Sequence, residues 1–200
     1  DLPEGLLPPG GVGVGAGVNY SALGSTHHAQ EDVAIMSAVP NMTVLAPCDP
    51  AEAALATREC VRIPGPVYLR LGKAGEPELT AQADPYEAGR IRFLRHGRDI
   101  CFLSYGPVTK MAMELATRLE REAGRSCAVA SVHTLKPLDR EGIAAVLARF
   151  PVIAVIEEHA PHGGLSSWVK ELAWDTQARC QLRTFALEDK FHHVYGTHAE

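Results

Sequence analysis

The 200-residue chain has no apolar run approaching the roughly 20 residues that a bilayer span requires. Basic residues are not in excess: 19 lysines and arginines face 24 aspartates and glutamates, a formal net charge of −5. No basic stripe is offered to nucleic-acid phosphates or anionic lipid, so neither nucleic acid nor membrane is expected as a partner. CxxC pairs are lacking too. The five cysteines (Cys48, Cys60, Cys101, Cys127 and Cys180) lie far apart in apolar segments. Such a set points to reduced, buried thiols of a cytoplasmic protein rather than to a disulfide framework or a zinc site. The stretch "DLPEGLLPPG" at 1–10 lacks the charged and apolar regions of a secretory leader. A chain of this length buries roughly 70% of its unfolded surface and needs neither disulfide nor structural metal to fold.

What the chain does have is glycine and proline at its start and alternating apolar runs after it. Gly11, Gly13, Gly15 and Gly17 invite a dinucleotide reading, but GxGxxG needs its last glycine where Ala16, Val18 or Tyr20 stand. A tightly packed strand or loop is expected instead. A short helix follows at about 30–38, with Glu31 and Asp32 in its first turn and Pro40 beyond its end. "MTVLAP" (42–47) reads as a buried strand. Asp49 as N-cap, Pro50 at the first helical position and Glu52 three residues on then begin a helix running to about Arg62. With "GPVYLRLG" (65–72) as the next strand, residues 40–72 make one strand–helix–strand unit of a parallel sheet.

Residues 73–92 are a linker, polar and proline-bearing. "RIRFLRHGRDICFLSYG" reads as two strands meeting at Gly97, a hairpin. Helices are then expected after Pro107 (Val108, Met111, Ala112, Leu115, Leu119), after Asp139 (Ile143, Val146, Leu147) and over Leu165, Trp168, Val169 and Leu172. Strands "CAVASVHTL", "VIAVIEE" and "CQLRTFAL" separate them. The fold class is α/β: a partial strand–helix–strand unit (1–72), then a three-layer α/β/α domain (93–200) with a mostly parallel sheet. The first unit has too few strands for a sheet of its own.

Several groups carry chemistry, each beside a plainer reading. In "GSTHHAQED" (24–32), His27 and His28 stand at a loop-to-helix junction, where loops after strands line ligand crevices. A neutral imidazole there exchanges protons with a sugar hydroxyl near neutral pH, or is simply a satisfied structural residue. In "HAPHGG" (159–164) the HxxH spacing suggests zinc, but two further ligands are absent nearby, so no metal is expected. Gly163 and Gly164 before a helix offer backbone N–H groups to an anion, or form a packing turn. Glu157 and Glu158 are a functional carboxylate pair or a solvated one. Arg70 and Lys73, at the end of a strand, suit a phosphate-bearing substrate or are solvated cations. His192 and His193 carry little signal.

As a set, these stretches resemble the transketolase family. "GSTHHAQEDVAIMSAVPNMTVLAPCDPAEA" is similar to its segment reading Gly-x-Thr-His, then Pro-Asn-(apolar)-x-Val and Pro-x-Asp-x-x-Glu, with Thr26-His27, Pro40-Asn41-Met42, Pro47, Asp49 and Glu52 in step. "GPVYLRLGK" resembles the end of the family's pyrimidine-binding domain, and "DICFLSYG", "LKPLD" and "EEHAPHGGLSSWV" its C-terminal domain. The resemblance implies a thiamine diphosphate- and Mg²⁺-dependent transfer of two-carbon ketol units between sugar phosphates. It implies that His27 contacts the reacting hydroxyl or carbonyl, with His28, Arg70 and Lys73 near the substrate. Lys73 stands where many relatives have arginine, a point charge in place of a bidentate fork. The family's diphosphate-binding domain and activating glutamate have no counterpart in these residues. A missing N-terminal region or partner subunit and a homodimeric parent are therefore expected, with no cofactor bound by this stretch and no activity of its own. Alternatives are a pyruvate-using relative (deoxyxylulose phosphate synthase or the beta chain of a 2-oxoacid dehydrogenase) and a non-catalytic assembly module.

Overall fold

The computed structural model describes residues 10–80 and 85–192. The glycine-rich start forms strand β1 (Gly10–Val14), and Gly13 lets the Tyr68 ring lie against it: a Cβ there would sit 2.2 Å from the phenol oxygen. Helix α1 (Asp32–Ala38) ends two residues before Pro40 and leads to β2 (Thr43–Leu45). Helix α2 (Pro50–Cys60) starts as its residues dictate. Asp49 accepts the Glu52 N–H at 2.7 Å, and the Glu52 carboxylate reaches back to the Cys48 N–H at 2.7 Å. Strand β3 (Val67–Leu71) lies between β1 and β2, parallel to both.

The second half continues with β4 (Arg92–Arg95), β5 (Ile100–Ser104), α3 (Thr109–Ala123), β6 (Cys127–Ser131), β7 (Thr134–Lys136), α4 (Arg140–Arg149), β8 (Val152–Ile156), α5 (Leu165–Asp175) and β9 (Gln181–Phe185). Five of these strands form a sheet in the order β4-β6-β5-β8-β9, parallel except for β4. Helix α3 covers one face, with Ala112 and Ala116 on Phe102, Val129 and Ala154. Helices α4 and α5 cover the other, with Ile143, Leu147, Leu165 and Val169 on Cys101, Leu103, Ala130 and Val155. The architecture is α/β, as the alternation of apolar runs predicts. All five cysteines are free thiols, and burial pushes Cys101 up to about 12. Among the described residues no helix is long and apolar enough to cross a membrane.

Two local expectations are corrected. Strands β4 and β5 do not form a hairpin, because β4 pairs antiparallel with β6 and β5 lies on the other side of β6. The chain crosses under the start of β6, where Arg98 and Asp99 donate their N–H groups to the Ser126 carbonyl. Gly97 permits the crossing: a Cβ there would meet the Cys127 backbone at 2.3 Å. Likewise "CAVASVHTL" is two strands. β6 stays in the second sheet, while β7 pairs antiparallel with β2 and completes a first sheet of order β1-β3-β2-β7. The strand that the first unit needs comes from the second half.

Packing across this junction is continuous, since one apolar cluster contains Val33, Val44 and Tyr68 together with Leu103, Leu135 and Val155. Two ion pairs with buried arginines sit beside it. Arg92 meets Glu52 at 3.4 Å, and Glu52 also accepts the Ser131 hydroxyl at 2.9 Å. Arg70, expected at the surface as a phosphate ligand, is only 2% exposed. Its Nε donates to Asp32 at 2.8 Å, and its Nη2 donates to the Ala29 carbonyl at 3.0 Å and the Glu158 carbonyl at 3.1 Å. Tyr68 gives Asp32 a second bond at 2.8 Å, and the guanidinium lies 5.4 Å from the centroid of the Tyr105 ring. The end of β3 is wedged between the two halves, so this cation has no route to a substrate.

Removing one member of such a pair strands the other. Arg70→Met is expected to cost about 3–5 kcal/mol in equilibrium urea unfolding. Arg62→Ala, which breaks an ion pair whose arginine side chain is 74% exposed, should cost about 1 kcal/mol or less. A second outcome concerns pH. His133 is buried and stacked on Tyr86 at 4.2 Å between ring centroids. Burial holds its pKa below the ordinary 6.5; the facing Arg92 adds to this and Glu52 opposes it. Below pH 6.5 the unfolded chain therefore binds the proton that the folded chain refuses. Stability is complete above that pH and falls as pH drops, by at most about 1.4 kcal/mol per pH unit for this residue. Unfolding midpoints measured from pH 7.5 to 5 should slope less in His133→Asn.

Candidate active site

At the carboxyl edge of the first sheet, β1 leads into a loop of residues 18–28 that returns to α1. Gly17 and Ala29 pinch it closed with two backbone hydrogen bonds of 3.2 and 2.9 Å. Within it, residues Ser21–Leu23 and Ser25–His27 each make a single 3₁₀ turn. Residues that follow strands in a parallel sheet gather at this edge, which is where open α/β sheets hold ligands.

The loop presents His27 exposed, with its Nδ1 3.0 Å from the Thr26 hydroxyl. This contact ties one ring nitrogen to the protein and leaves Nε2 to take or give a proton, according to the tautomer. His28 is half-buried and lines a separate cavity of about 430 Å³ with Ser25, Glu31 and Asp189. Burial lowers its pKa, and the neighbouring His192 and His27 lower it further, so the ring favours its neutral form. Lys73 leaves the end of β3, the strand beside β1. It is exposed and shares a crevice of about 180 Å³ with Asn19 of the loop and Lys110 of α3. His27 and Lys73 are thus carried to one edge by adjacent strands, whereas Arg70 stays inside.

The groups near the end of β8 are committed to the fold. Glu157 accepts the N–H groups of Leu165 and Ser166 at 2.8 and 3.0 Å, so the anion at the start of α5 is the protein's own. Tyr105 donates to the same carboxylate at 3.1 Å; burial pushes its phenol well above the ordinary value, keeping it a neutral donor. Glu158, 9% exposed, accepts the Val18 N–H at 3.3 Å. His159 is wholly buried. Its Nε2 accepts the Ala34 N–H at 3.3 Å and its Nδ1 donates to the Ala160 carbonyl at 2.8 Å, which leaves no lone pair for zinc. His193 lies outside the described residues.

Among the described residues no three His, Cys, Asp or Glu side chains are grouped so as to hold a metal ion. The carboxylates of Asp32, Asp49, Glu52 and Glu157 already accept two to four hydrogen bonds each. The donor set present does not fit a diphosphate-bound divalent metal. Sequence reasoning left out Asp32 and Glu158, which hold the two feet of the loop. Asp32 reads as an ordinary acid at a helix start, and nothing local tells which cation it meets.

Comparison with known proteins agrees with this geometry. Residues 6–76 match the family model described as "Transketolase, pyrimidine binding domain", and residues 89–194, more than half the chain, match "Transketolase, C-terminal domain". One of the two apulose-4-phosphate transketolase subunits of Phocaeicola vulgatus is 33% identical over 80% of this chain and 51% of its own. The 1-deoxy-D-xylulose-5-phosphate synthase of a Synechococcus species is 34% identical over 84% of this chain and 27% of its own. A solved structure described as "Split gene transketolase, inactive beta4 tetramer" superposes with a TM-score of 0.80 at 32% identity, covering 90% of this chain and 57% of that one. The chain thus spans about half the length of the subunit relatives and about a quarter of the synthases. The two domain models, met in order on a fold that superposes on theirs, establish that this chain belongs to the transketolase family.

Proposed function

We propose that the chain is the C-terminal part of a transketolase-like transferase that moves two-carbon ketol units between sugar phosphates, and that His27 acts on the reacting hydroxyl or carbonyl. The carrying observation is the pinched loop, which holds an exposed imidazole at the carboxyl edge with Nδ1 already bonded to Thr26. That arrangement leaves Nε2 for the substrate, as donor to a carbonyl or as acceptor from a hydroxyl. Lys73, sharing its crevice with Lys110 and Asn19, receives the phosphate. His28 shapes the neighbouring wall.

Thiamine diphosphate and Mg²⁺ act in the parent enzyme and are held by another polypeptide region or a partner subunit, since the donors described above do not suit them. Relatives named as subunits support such a partner. The parent is a cytoplasmic homodimer of these combined parts, and the chain alone is inactive. In the parent, His27→Ala should lower kcat/KM for ketol transfer about 100-fold or more, as loss of a general acid–base group does, with cofactor binding unchanged in calorimetry. Full activity of the alanine variant would remove His27 from the chemistry.

The identity to 1-deoxy-D-xylulose-5-phosphate synthase favours a second reading, a pyruvate-using enzyme. A substrate panel on the parent separates the two: ketose-phosphate cleavage without pyruvate decarboxylation is the expected outcome, and pyruvate decarboxylation would replace the first reading with the second.

A further inference from the structure

The loop bearing His27 is anchored by the second half of the chain. Glu158, just past the end of β8, sends its carboxylate to the Val18 N–H, the first peptide of the loop, at 3.3 Å. Gly17 at the same foot has φ +62°, and a Cβ there would lie 2.3 Å from Glu158 Oε2 and 2.5 Å from its Cβ, so the glutamate packs directly on the loop's entrance. The other foot is held through Arg70, whose Nη2 donates to the carbonyls of both Ala29 and Glu158. One residue on, the Ala160 N–H donates to the Gln30 carbonyl at 2.7 Å. Residues 158–160 therefore fix both ends of an eleven-residue segment whose own interior consists of two single turns.

We infer that Glu158 is a positioning residue for His27, so that the C-terminal domain shapes the substrate site as well as supporting assembly. This rests on the proposed role of His27. A carboxylate that fixes the entrance peptide sets where the imidazole stands nine residues later. Displacement of an acid–base group by about 1 Å costs on the order of 100-fold in rate. Glutamine keeps an acceptor oxygen for the Val18 N–H, whereas alanine removes it.

The test is a double-mutant cycle in the assembled parent enzyme. Glu158→Ala should lower kcat/KM about tenfold or more, mainly through kcat, while Glu158→Gln stays within about threefold of the native value. In a His27→Ala background the same Glu158→Ala change should cost nothing further. Thermal unfolding reports whether each variant is folded. If the alanine variant is not, Glu158→Asp, one methylene shorter and withdrawn from the amide, carries the same cycle. Equal losses in both backgrounds, or glutamine as damaging as alanine, would overturn the inference and leave His27 in its role. An unimpaired His27→Ala single variant would remove both readings together.

Discussion

A guanidinium taken out of water must find its counter-charge and its hydrogen-bond acceptors within reach, or the fold that buries it does not form. Arg70 meets that demand with groups from three places at once: the Asp32 carboxylate at the start of α1, the Ala29 carbonyl at the foot of the loop, and the Glu158 carbonyl past the end of β8. None of these is near it in sequence. The two halves therefore close on each other in one register, because any slip leaves a buried charge or a buried carbonyl unmet. Tyr68 and Tyr105 extend the same set of contacts to the first sheet and to the Glu157 cap of α5.

From that constraint follows the stiffness of the substrate edge. A loop made of two isolated turns has little internal structure to hold an imidazole still, and ordering it must come from its surroundings. Here the surroundings are a helix start, a strand end and a buried cation, each rigid for reasons of its own. The exposed Lys73 follows the same strand as Arg70, three residues on, yet meets solvent instead of the interior.

Much of this is readable in the sequence. The Asp49-Pro50-x-Glu52 start of α2, the Asp139 cap of α4 and the helical stripes of α3 and α5 are local signals, and each forms where the residues place it. The failures share one cause, long-range pairing. The hairpin at Gly97 fails because the partner of β4 is β6, over thirty residues away. "CAVASVHTL" reads as one strand because periodicity cannot register a change of sheet. Arg70 is misplaced because its position at a strand's end says nothing about Asp32 lying across from it. The carboxylates at 157 and 158 look alike in sequence, yet one caps a helix and the other holds a loop, a distinction made only by where the backbone turns after β8.

The crossing of β7 into the first sheet has a bearing on how this protein can be cut. The family's two domain models part between residues 76 and 89, which marks an obvious place to divide the coding sequence. A piece ending there would expose the flank of β2, with its amide and carbonyl groups lacking their mate, while the complementary piece would carry a three-residue ribbon with nothing to lie against. Bare flanks of that kind invite strand exchange between molecules. Pieces divided at this site are thus prone to re-associate or to clump, and a boundary drawn on sequence similarity is not a boundary for folding.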